Sequence, residues 1–401
     1  MKNIGLLGFG VVGQGFYQIF TQKQPKNFTI KRVAAKNPSK KRNDLQAPLE
    51  FEALEVVNDP SIQIVVEATN DENAAYNLVK TALLNGKSVV SANKQLLAKN
   101  LKELTEIANN NGVSLLFEGA VGGVIPIVQN VKNYIGNDNV SELKAIINGS
   151  SNYILTQVFE NGKSYSEALG EAQLKGFAES DPTTDVNGSD AAAKLSLLSS
   201  LIGKGVFTKQ NIATSGIQNL DLIDIAFARQ NNLKIKQIAS LKFINEEIQA
   251  YVLPSFINTR SELYNISNEF NAVSLRSEFS GELTFIGRGA GKFPTGFAVY
   301  NDVLKLTSST LPKQEIEKGI QLANAQLNIY LRWKNYEINP ERFGFEKIKQ
   351  IDFSTILAKI SSQDLLKFVS NPISDDAVII EASVLLKTKR EFISEEILSI
   401  H

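Results

Sequence analysis

The feature that most constrains the fold is a glycine-rich turn between a short apolar strand and a helical pattern. Residues 2–7 predict a buried strand, and the sequence GFGVVG follows at residues 8–13. Gly8 permits a tight turn, Gly10 lets the backbone approach a pyrophosphate, and Gly13 lets the following helix pack against the strand. The pattern predicts a Rossmann-type unit in which the N-terminus of the helix faces a dinucleotide.

Further strand-like runs alternate with helical patterns and extend this unit. The strands are predicted at residues 29–35, 64–67, 88–90 and 113–117, and the helices at 73–84 and 101–110. Such alternation predicts a doubly wound parallel sheet.

The end of the second strand bears on the choice of cofactor. The run Ala34-Ala35-Lys36 lacks the acidic residue that would hold the ribose 2′-hydroxyl of NAD. The basic residues here are Lys36, Lys40, Lys41 and Arg42. They suit the 2′-phosphate of NADP, although a solvated basic loop would have the same composition. NADP is therefore the favoured cofactor, with NAD as the alternative.

The amino-acid composition limits the classes of ligand and the side chains available for catalysis. The 401 residues include 42 Lys and Arg against 42 Asp and Glu, which favours a small-molecule ligand over nucleic acid or a membrane surface. The chain has no cysteine, which excludes thiol nucleophiles, and its one histidine is His401, which argues against a histidine acid as the proton-transfer group. Lysine, aspartate, glutamate and tyrosine remain. No apolar segment reaches membrane-spanning length, and we expect a cytoplasmic location.

An acidic segment at residues 175–194, KGFAESDPTTDVNGSDAAAK, predicts a site. Asp190 would open a helix and Lys194 would follow one turn later, which places a carboxylate and an ammonium on one face. With Glu179 and Asp185 nearby, the segment could hold an amino-acid ammonium group and supply a proton beside it. This chemistry suits the reduction of an aldehyde on a small zwitterion. The alternative is an exposed loop followed by a surface ion pair.

Several motifs in order make residues 1 to about 310 resemble homoserine dehydrogenase. They are GFGVVG at 8–13, ANK at 92–94, EGAVGGVIP at 118–126, NGSSNYILT at 148–156, the segment 176–194 and GRGAGKFPT at 287–295. The resemblance implies NAD(P)H-dependent reduction of L-aspartate 4-semialdehyde to L-homoserine, a step toward threonine and methionine. It also implies a homodimer.

The resemblance assigns roles to residues of the acidic segment and its surroundings. Lys194 would be the general acid, oriented by Asp190, while Glu179 and Asp185 receive the substrate ammonium. Lys94 would be a further catalytic residue that reaches the site from the nucleotide domain, either on the substrate carboxylate or in proton transfer, although a solvated lysine in a turn is the alternative. The substrate-contacting loop would contain Gly149 and Ser150, with serine where threonine is common in the family. The predicted cofactor-binding residues are Gly8, Phe9, Gly10, Val11, Val12, Gly13, Lys36, Ala92, Asn93, Lys94 and Gly291.

A cation site is also implied. Glu118 and the main chain of Val121, Gly123 and Ile125 match a monovalent cation site of the family, with oxygen ligands that suit sodium. The glycines and proline of this stretch could instead serve only the backbone turn.

The expected fold is α/β: a Rossmann-type doubly wound parallel sheet, an open α/β substrate and dimerisation domain, and a small C-terminal α/β appendage. The dinucleotide-binding domain would comprise residues 1–135, completed by about 292–315, and the substrate-binding and dimerisation domain residues 136–291. Residues 320–401 would form the appendage, either ACT-like or divergent, with strands at 327–333 and 378–386.

The sequence leaves two alternatives to this function. One is a related two-domain oxidoreductase that acts on another amino-acid aldehyde or imine. The other is a nucleotide-sensing binding protein that has lost catalysis, against which the retained Lys94, Glu179, Asp185, Asp190 and Lys194 argue.

Overall fold

The computed structural model describes residues 1–37, 42, 45–135, 138–202, 208–244, 247–307, 322–333 and 339–386. The strands are β1 (Lys2–Leu7), β2 (Phe28–Ala34), β3 (Leu49–Glu50), β4 (Ile64–Glu67), β5 (Ser88–Ser91), β6 (Leu115–Leu116), β7 (Val140–Ile146), β8 (Ala213–Thr214), β9 (Lys234–Ile244), β10 (Glu247–Ile257), β11 (Phe270–Ser277), β12 (Gly281–Arg288), β13 (Gln326–Trp333), β14 (Glu346–Asp352), β15 (Thr355–Ser361) and β16 (Ala377–Glu381). The helices are α1 (Val11–Lys23), α2 (Ala53–Asn58), α3 (Glu72–Leu84), α4 (Lys94–Asn110), α5 (Ile127–Asn133), α6 (Gly149–Asn161), α7 (Tyr165–Leu174), α8 (Thr183–Val186), α9 (Ser189–Leu201), α10 (Leu222–Gln230), α11 (Lys292–Lys305) and α12 (Ser362–Val369).

The chain divides into two compact units. The first comprises residues 1–137, 196–208 and 287–319, and the second residues 138–195, 209–286 and 320–401. Within the described ranges, no helix combines the length and the apolar character needed to cross a membrane.

A parallel sheet in the order β3-β2-β1-β4-β5-β6 forms the centre of the first unit. Strands β1 and β4 are buried on both faces, which explains their continuous apolar sequence. The doubly wound sheet predicted from the sequence is therefore confirmed. The boundaries of β2, α3 and β5 differ from the prediction by one residue, and β3 and α2 were not predicted. Two elements differ more: β6 spans only Leu115–Leu116, and α4 begins at Lys94 because Asn93 caps it.

Helices α1 and α11 of the first unit pack so closely that glycine is required at their contact. A Cβ added to Gly15 would lie 1.9 Å from the carbonyl oxygen of Lys292, and one added to Gly296 would lie 2.6 Å from the backbone nitrogen of Phe16. Larger side chains would force the helices apart. This contact fixes α11 against the glycine-rich start of the chain.

A mixed sheet in the order β12-β11-β7-β9-β10-β16-β13-β15-β14 forms the second unit, and β8 pairs with β10. The four strands from residue 326 onward continue this sheet, with β16 parallel to β10. One core joins them to α6, because Tyr330 and Ile380 are buried in the same cluster as Tyr153 and Phe256. The ACT-like character of residues 320–401 stays a prediction.

The strand predicted at residues 327–333 is confirmed as β13, but the one predicted at 378–386 is wrong in its second half. Strand β16 ends at Glu381, and residues 383–386 are helical. The Glu381 carboxylate accepts a hydrogen bond from the backbone N–H of Ser383 at 2.9 Å, a local bond that turns the chain out of the sheet.

A buried ion pair ties β13 to α10. The Arg332 guanidinium donates from Nη2 to Asp224 Oδ2 at 2.6 Å and from Nε to Oδ1 at 2.8 Å. The hydroxyl of Tyr330 donates to the same carboxylate at 2.9 Å, and burial raises the pKa of this tyrosine. The geometry is bidentate and the carboxylate is saturated, which is how a buried charge becomes tolerable.

We expect Arg332→Met to lower the free energy of unfolding by about 3–5 kcal/mol, because it leaves the Asp224 carboxylate buried without its cation. Chemical denaturation would measure the loss. The matched control is Lys367→Met, which breaks an exposed pair with Asp364 and should change stability by less than about 0.5 kcal/mol. Equal effects of the two substitutions would contradict a structural role for the buried pair.

Candidate functional site

The glycine-rich turn of the first unit leaves one side open at the N-terminus of α1. Gly8 has a φ of 91°, and a Cβ there would lie 2.4 Å from the carbonyl oxygen of Ala68. A Cβ at Gly13 would lie 2.1 Å from the carbonyl oxygen of Gly8, whereas one at Gly10 would meet no atom within 4 Å. Gly8 and Gly13 therefore serve the turn and the packing, while the space beside Gly10 fits an approaching phosphate.

A cavity of about 450 Å³ lies at the carboxyl ends of β1, β2 and β4. Of the predicted cofactor residues, Gly8, Phe9, Gly10 and Lys36 line it, together with Arg42. Lys40 and Lys41 lie outside the described residues. A cavity at the carboxyl edge of a parallel sheet is where α/β folds bind nucleotides.

An acidic side chain that the sequence pattern missed lines the same cavity. Asp71 follows β4, not β2, and its Oδ2 lies 2.6 Å from Nζ of Lys36. Its Oδ1 accepts the backbone N–H of Ala74 and caps α3. The hydrogen bond from Lys36 lowers the pKa of the Asp71 carboxyl group. The edge predicted to be basic therefore carries a carboxylate in contact with Lys36, and Arg42 lines the same cavity.

The remaining predicted cofactor residues do not line this cavity. Val11 and Val12 begin α1, and Gly291 caps α11 with a φ of 120°. Ala92 follows β5 and Lys94 begins α4. Between them, Asn93 accepts the Leu96 N–H at 3.1 Å and donates to the Thr69 carbonyl at 3.2 Å. These residues belong to turns beside the nucleotide edge of the sheet.

The ion pair predicted on α9 is present in the second unit and is buried. Nζ of Lys194 lies 2.7 Å from Oδ2 of Asp190, with side-chain exposures of 9% and 3%. The same ammonium donates to the Ile147 carbonyl at 2.7 Å. The alternative of a surface pair is wrong, because the alanines at 191–193 direct this helix into the core.

Asn148 connects this pair to Asp185. Its Nδ2 donates to Asp185 Oδ1 at 2.7 Å and to Asp190 Oδ2 at 3.0 Å. The single O–H of Ser150 lies within hydrogen-bonding distance of two acceptors, the Phe177 carbonyl at 2.6 Å and Asp185 Oδ2 at 3.1 Å. The motif containing Asn148 was visible in the sequence, but a role for Asn148 itself was not predicted.

Gly149 follows Asn148 at the start of α6 and allows a close approach of the chain. A Cβ there would lie 2.9 Å from the carbonyl oxygen of Glu269. The structure thus brings together Gly149, Ser150, Asp185, Asp190 and Lys194, and their roles toward a substrate stay a prediction.

In the described part of the chain, the carboxylate of Glu179 does not share the hydrogen bonds of this network. Glu179 is exposed, and its main-chain oxygen accepts from Gln173 Nε2 at 3.0 Å. Among the described residues, no hydrogen bond joins its carboxylate to Asp185 or Asp190. Lys94 belongs to the first unit.

The predicted cation site contains the buried Glu118 carboxylate, which also stabilises the start of α5. The oxygens of Glu118 accept the backbone N–H groups of Val128 at 2.9 Å and Gln129 at 3.0 Å, in the first turn of α5. Burial, with the nearby Asp302 carboxylate, raises the pKa of Glu118 to about 7. Nζ of Lys305 lies 3.9 Å from Glu118 Oε2 and 2.8 Å from Asp302 Oδ1.

The main chain of the predicted cation site is also partly engaged. Gly123 has a φ of 59°, the Val121 N–H donates to the Glu118 carbonyl, and the Ile125 carbonyl accepts from Ile127. A loop carbonyl retains a second lone pair when it accepts one hydrogen bond, so these oxygens remain suitable for a hard cation. Within the described ranges, no cluster of three or more acidic, histidine or cysteine side chains suits a metal ion.

Comparison with known proteins gives consistent results. The family profile described as homoserine dehydrogenase matches residues 126–304, and that of the homoserine dehydrogenase NAD-binding domain matches residues 8–118. A homoserine dehydrogenase of Synechocystis sp. is 35% identical over 76% of this chain and 72% of its own length. One from Bacillus subtilis is 35% identical over 87% of this chain and 84% of its own.

Solved structures give the same result. A homoserine dehydrogenase from Thiobacillus denitrificans superposes with a TM-score of 0.82 at 27% identity, covering 95% of this chain and 98% of that one. One from S. aureus, at pH 8.5, has a TM-score of 0.73 at 30% identity, with the same coverage.

We expect Gly10→Ala to leave the protein folded, because the new methyl group meets no protein atom within 4 Å. It should weaken binding of the dinucleotide roughly tenfold, which corresponds to about 1.4 kcal/mol of binding free energy. Titration calorimetry with NADP⁺ and NAD⁺ would measure this. Gly170→Ala, whose methyl group also meets nothing within 4 Å, is the control and should not change the affinity. Equal affinities of all three proteins would place the pyrophosphate elsewhere.

Proposed function

The chain belongs to the homoserine dehydrogenase family, and from that premise we propose that it reduces L-aspartate 4-semialdehyde to L-homoserine with a nicotinamide cofactor. Membership confirms the resemblance inferred from the motifs. The observation that carries the proposed mechanism is the buried Asp190–Lys194 pair, joined through Asn148 to Asp185. Reduction of an aldehyde requires a proton at the oxygen, and a buried ammonium beside an ammonium-binding carboxylate meets that requirement.

Lys194 is proposed as the general acid. Its ammonium is oriented by two acceptors, the Asp190 carboxylate and the Ile147 carbonyl, each at 2.7 Å. Burial strengthens the interaction of this ammonium with the negative charge that develops on the carbonyl oxygen of the substrate. In the reverse direction the neutral amine of Lys194 would accept the proton of the homoserine hydroxyl.

Asp185 and Glu179 are proposed to receive the substrate ammonium. Asp185 is half-buried and accepts hydrogen bonds only from neutral groups among its described partners, so its negative charge is not compensated by them. Glu179 lies on the exposed loop between α7 and α8 and would complete the site. Gly149 and Ser150 would contact the substrate from the start of α6, and Lys94 is proposed to act on the substrate carboxylate or in proton transfer.

The cavity at the edge of the first sheet is proposed to hold the cofactor, which supplies hydride to the aldehyde carbon. Gly8, Gly10 and the N-terminus of α1 would bind the pyrophosphate, and Lys36 with Arg42 the ribose end. We favour NADP for this reason. The other predicted cofactor residues, from Ala92 to Lys94 and at Gly291, would contact the nicotinamide half.

Four further features of the family are proposed for this chain. They are a homodimer, a cytoplasmic location, a monovalent cation such as sodium at residues 118–125, and a dinucleotide-binding domain of residues 1–135 completed by about 292–315. The buried Glu118 and the loop carbonyls around Gly123 support the cation. The closely packed α1 and α11 support the assignment of residues 292–315 to the nucleotide domain.

We expect the purified protein to oxidise homoserine with NADP⁺ or NAD⁺, followed by absorbance of the reduced nicotinamide. Lys194→Ala should lower turnover by ~10²- to 10⁴-fold, because the proton-transfer group is lost, with little change in the Kd of the cofactor. The control is Lys175→Ala, a half-exposed lysine paired with Glu171. Near-normal turnover of Lys194→Ala would remove it from the acid role, and a wild-type protein without signal would favour another amino-acid aldehyde or imine as substrate.

The Lys36–Asp71 contact allows a separate test of the cofactor. We expect a lower KM for NADPH than for NADH, and a further decrease in the NADPH KM for Asp71→Asn. Asparagine can still cap α3, but the negative charge that would repel the 2′-phosphate is gone. If Asp71 instead binds the ribose 2′-hydroxyl, the substitution will raise the KM for NADH and the wild-type enzyme will prefer NADH.

A further inference from the structure

We propose that Asn148 is a positioning residue that holds the substrate-binding Asp185 and the proton-transfer pair Asp190–Lys194 in a fixed relation through one shared carboxamide. The inference rests on the proposed function and extends it to a residue outside the predicted site. Asn148 is buried between β7 and α6, directly after Ile147, whose carbonyl accepts from Lys194.

The orientation of the Asn148 carboxamide follows from its partners. Its Oδ1 accepts the backbone N–H of Ser151 at 2.8 Å, and a backbone N–H can only donate. The NH₂ group must therefore face the carboxylates, where one hydrogen is available for Asp185 Oδ1 at 2.7 Å and one for Asp190 Oδ2 at 3.0 Å. All three polar groups of the site depend on this orientation, because Asp190 in turn orients Lys194.

Asparagine is the residue that meets both demands at this position. As the N-cap of α6 it must accept a hydrogen bond from Ser151, which serine and aspartate could also do. Serine has no NH₂ group to donate to two carboxylates. Aspartate would add a third negative charge beside Asp185 and Asp190. A neutral donor leaves both carboxylates charged, one for the substrate ammonium and one for Lys194.

Three helices meet at this side chain. Among the described residues, its charged hydrogen-bond partners are Asp185 from α8 and Asp190 from α9, which pairs with Lys194, while Ser150 of α6 lies within hydrogen-bonding distance of the far oxygen of Asp185. A displacement of Asp185 would therefore change the hydrogen bond that Asp190 receives. Substrate binding and proton transfer share one donor, and a change at Asn148 should affect both.

The first test is Asn148→Ser, which retains the cap and removes the NH₂ donor. We expect the KM for homoserine to rise and kcat to fall, each by roughly tenfold or more, with the KM for the oxidised cofactor unchanged. The matched control is Asn371→Ser, which makes the same change at an exposed cap that accepts from Ile373. The control should keep wild-type kinetics. If Asn148→Ser also keeps wild-type KM and kcat, the positioning role is overturned.

The second test is Asn148→Asp, which retains the cap and adds a charge. The added charge favours the protonated amine, so the acidic limb of the pH–rate profile for homoserine oxidation should move to higher pH. The unfolding midpoint of this variant should fall, relative to Asn148→Ser, as the pH rises from about 4 to 7 and the carboxyl groups ionise. A residue that only caps α6 would move neither quantity.

The two tests separate failure of this inference from failure of the proposed function. If the wild-type enzyme is inactive on homoserine with both cofactors, the proposed function is contradicted. The unfolding midpoints of Asn148→Asp and Asn148→Ser then test the linkage between the carboxylates independently of activity. If Asn148→Asp is as stable as Asn148→Ser at pH 7, the linkage is overturned. If Asn148→Asp is less stable than Asn148→Ser only at pH values above the pKa range of carboxyl groups, the linkage between the carboxylates holds. This result does not depend on the identity of the substrate.

Discussion

The second unit depends on accommodating an ammonium and a carboxylate in its interior. Lys194 and Asp190 are buried, and the free energy of removing two charges from water must be offset by well-placed partners. The Ile147 carbonyl and the Asn148 carboxamide provide them. Both groups come from the chain directly after β7, so the end of one strand and the start of α6 are fixed by the requirements of an ion pair on α9.

Much of the first unit could be predicted from the sequence because its signals are local. Buried parallel strands read as apolar runs, and the turn at residues 8–13 requires glycine within a few residues of its own strand. Two predicted boundaries were wrong because of local contacts. The helix predicted from residue 101 starts at Lys94, where Asn93 caps it, and in the second unit the strand predicted to residue 386 ends at Glu381. An asparagine cap starts the helix at the first position, and a local bond from the Ser383 N–H to the Glu381 carboxylate accompanies the end of the strand at the second.

The sequence could predict only those contacts of the candidate site that lie within one helix or strand. The four-residue spacing of Asp190 and Lys194 predicted their contact, but not their burial. The bonds from Asn148 span 37 and 42 residues of sequence, and that from Lys36 to Asp71 spans 35, so neither partner follows from a local pattern. Similarly, the Glu118 carboxylate was predicted as a cation ligand, whereas its contacts with α5 depend on the path of the chain to residue 128.

The position of β16 has a consequence for how the chain folds. This strand lies between β10 and β13, so residues near 255 and 329 share a neighbour that is made after both. The central part of the sheet therefore cannot close until synthesis has passed Glu381. During translation, the stretch of β10 around Ser255 would lack this neighbour while about 120 residues are added, whereas β8 already pairs with Tyr251 and Val252. That stretch is open to other strand pairing during this period.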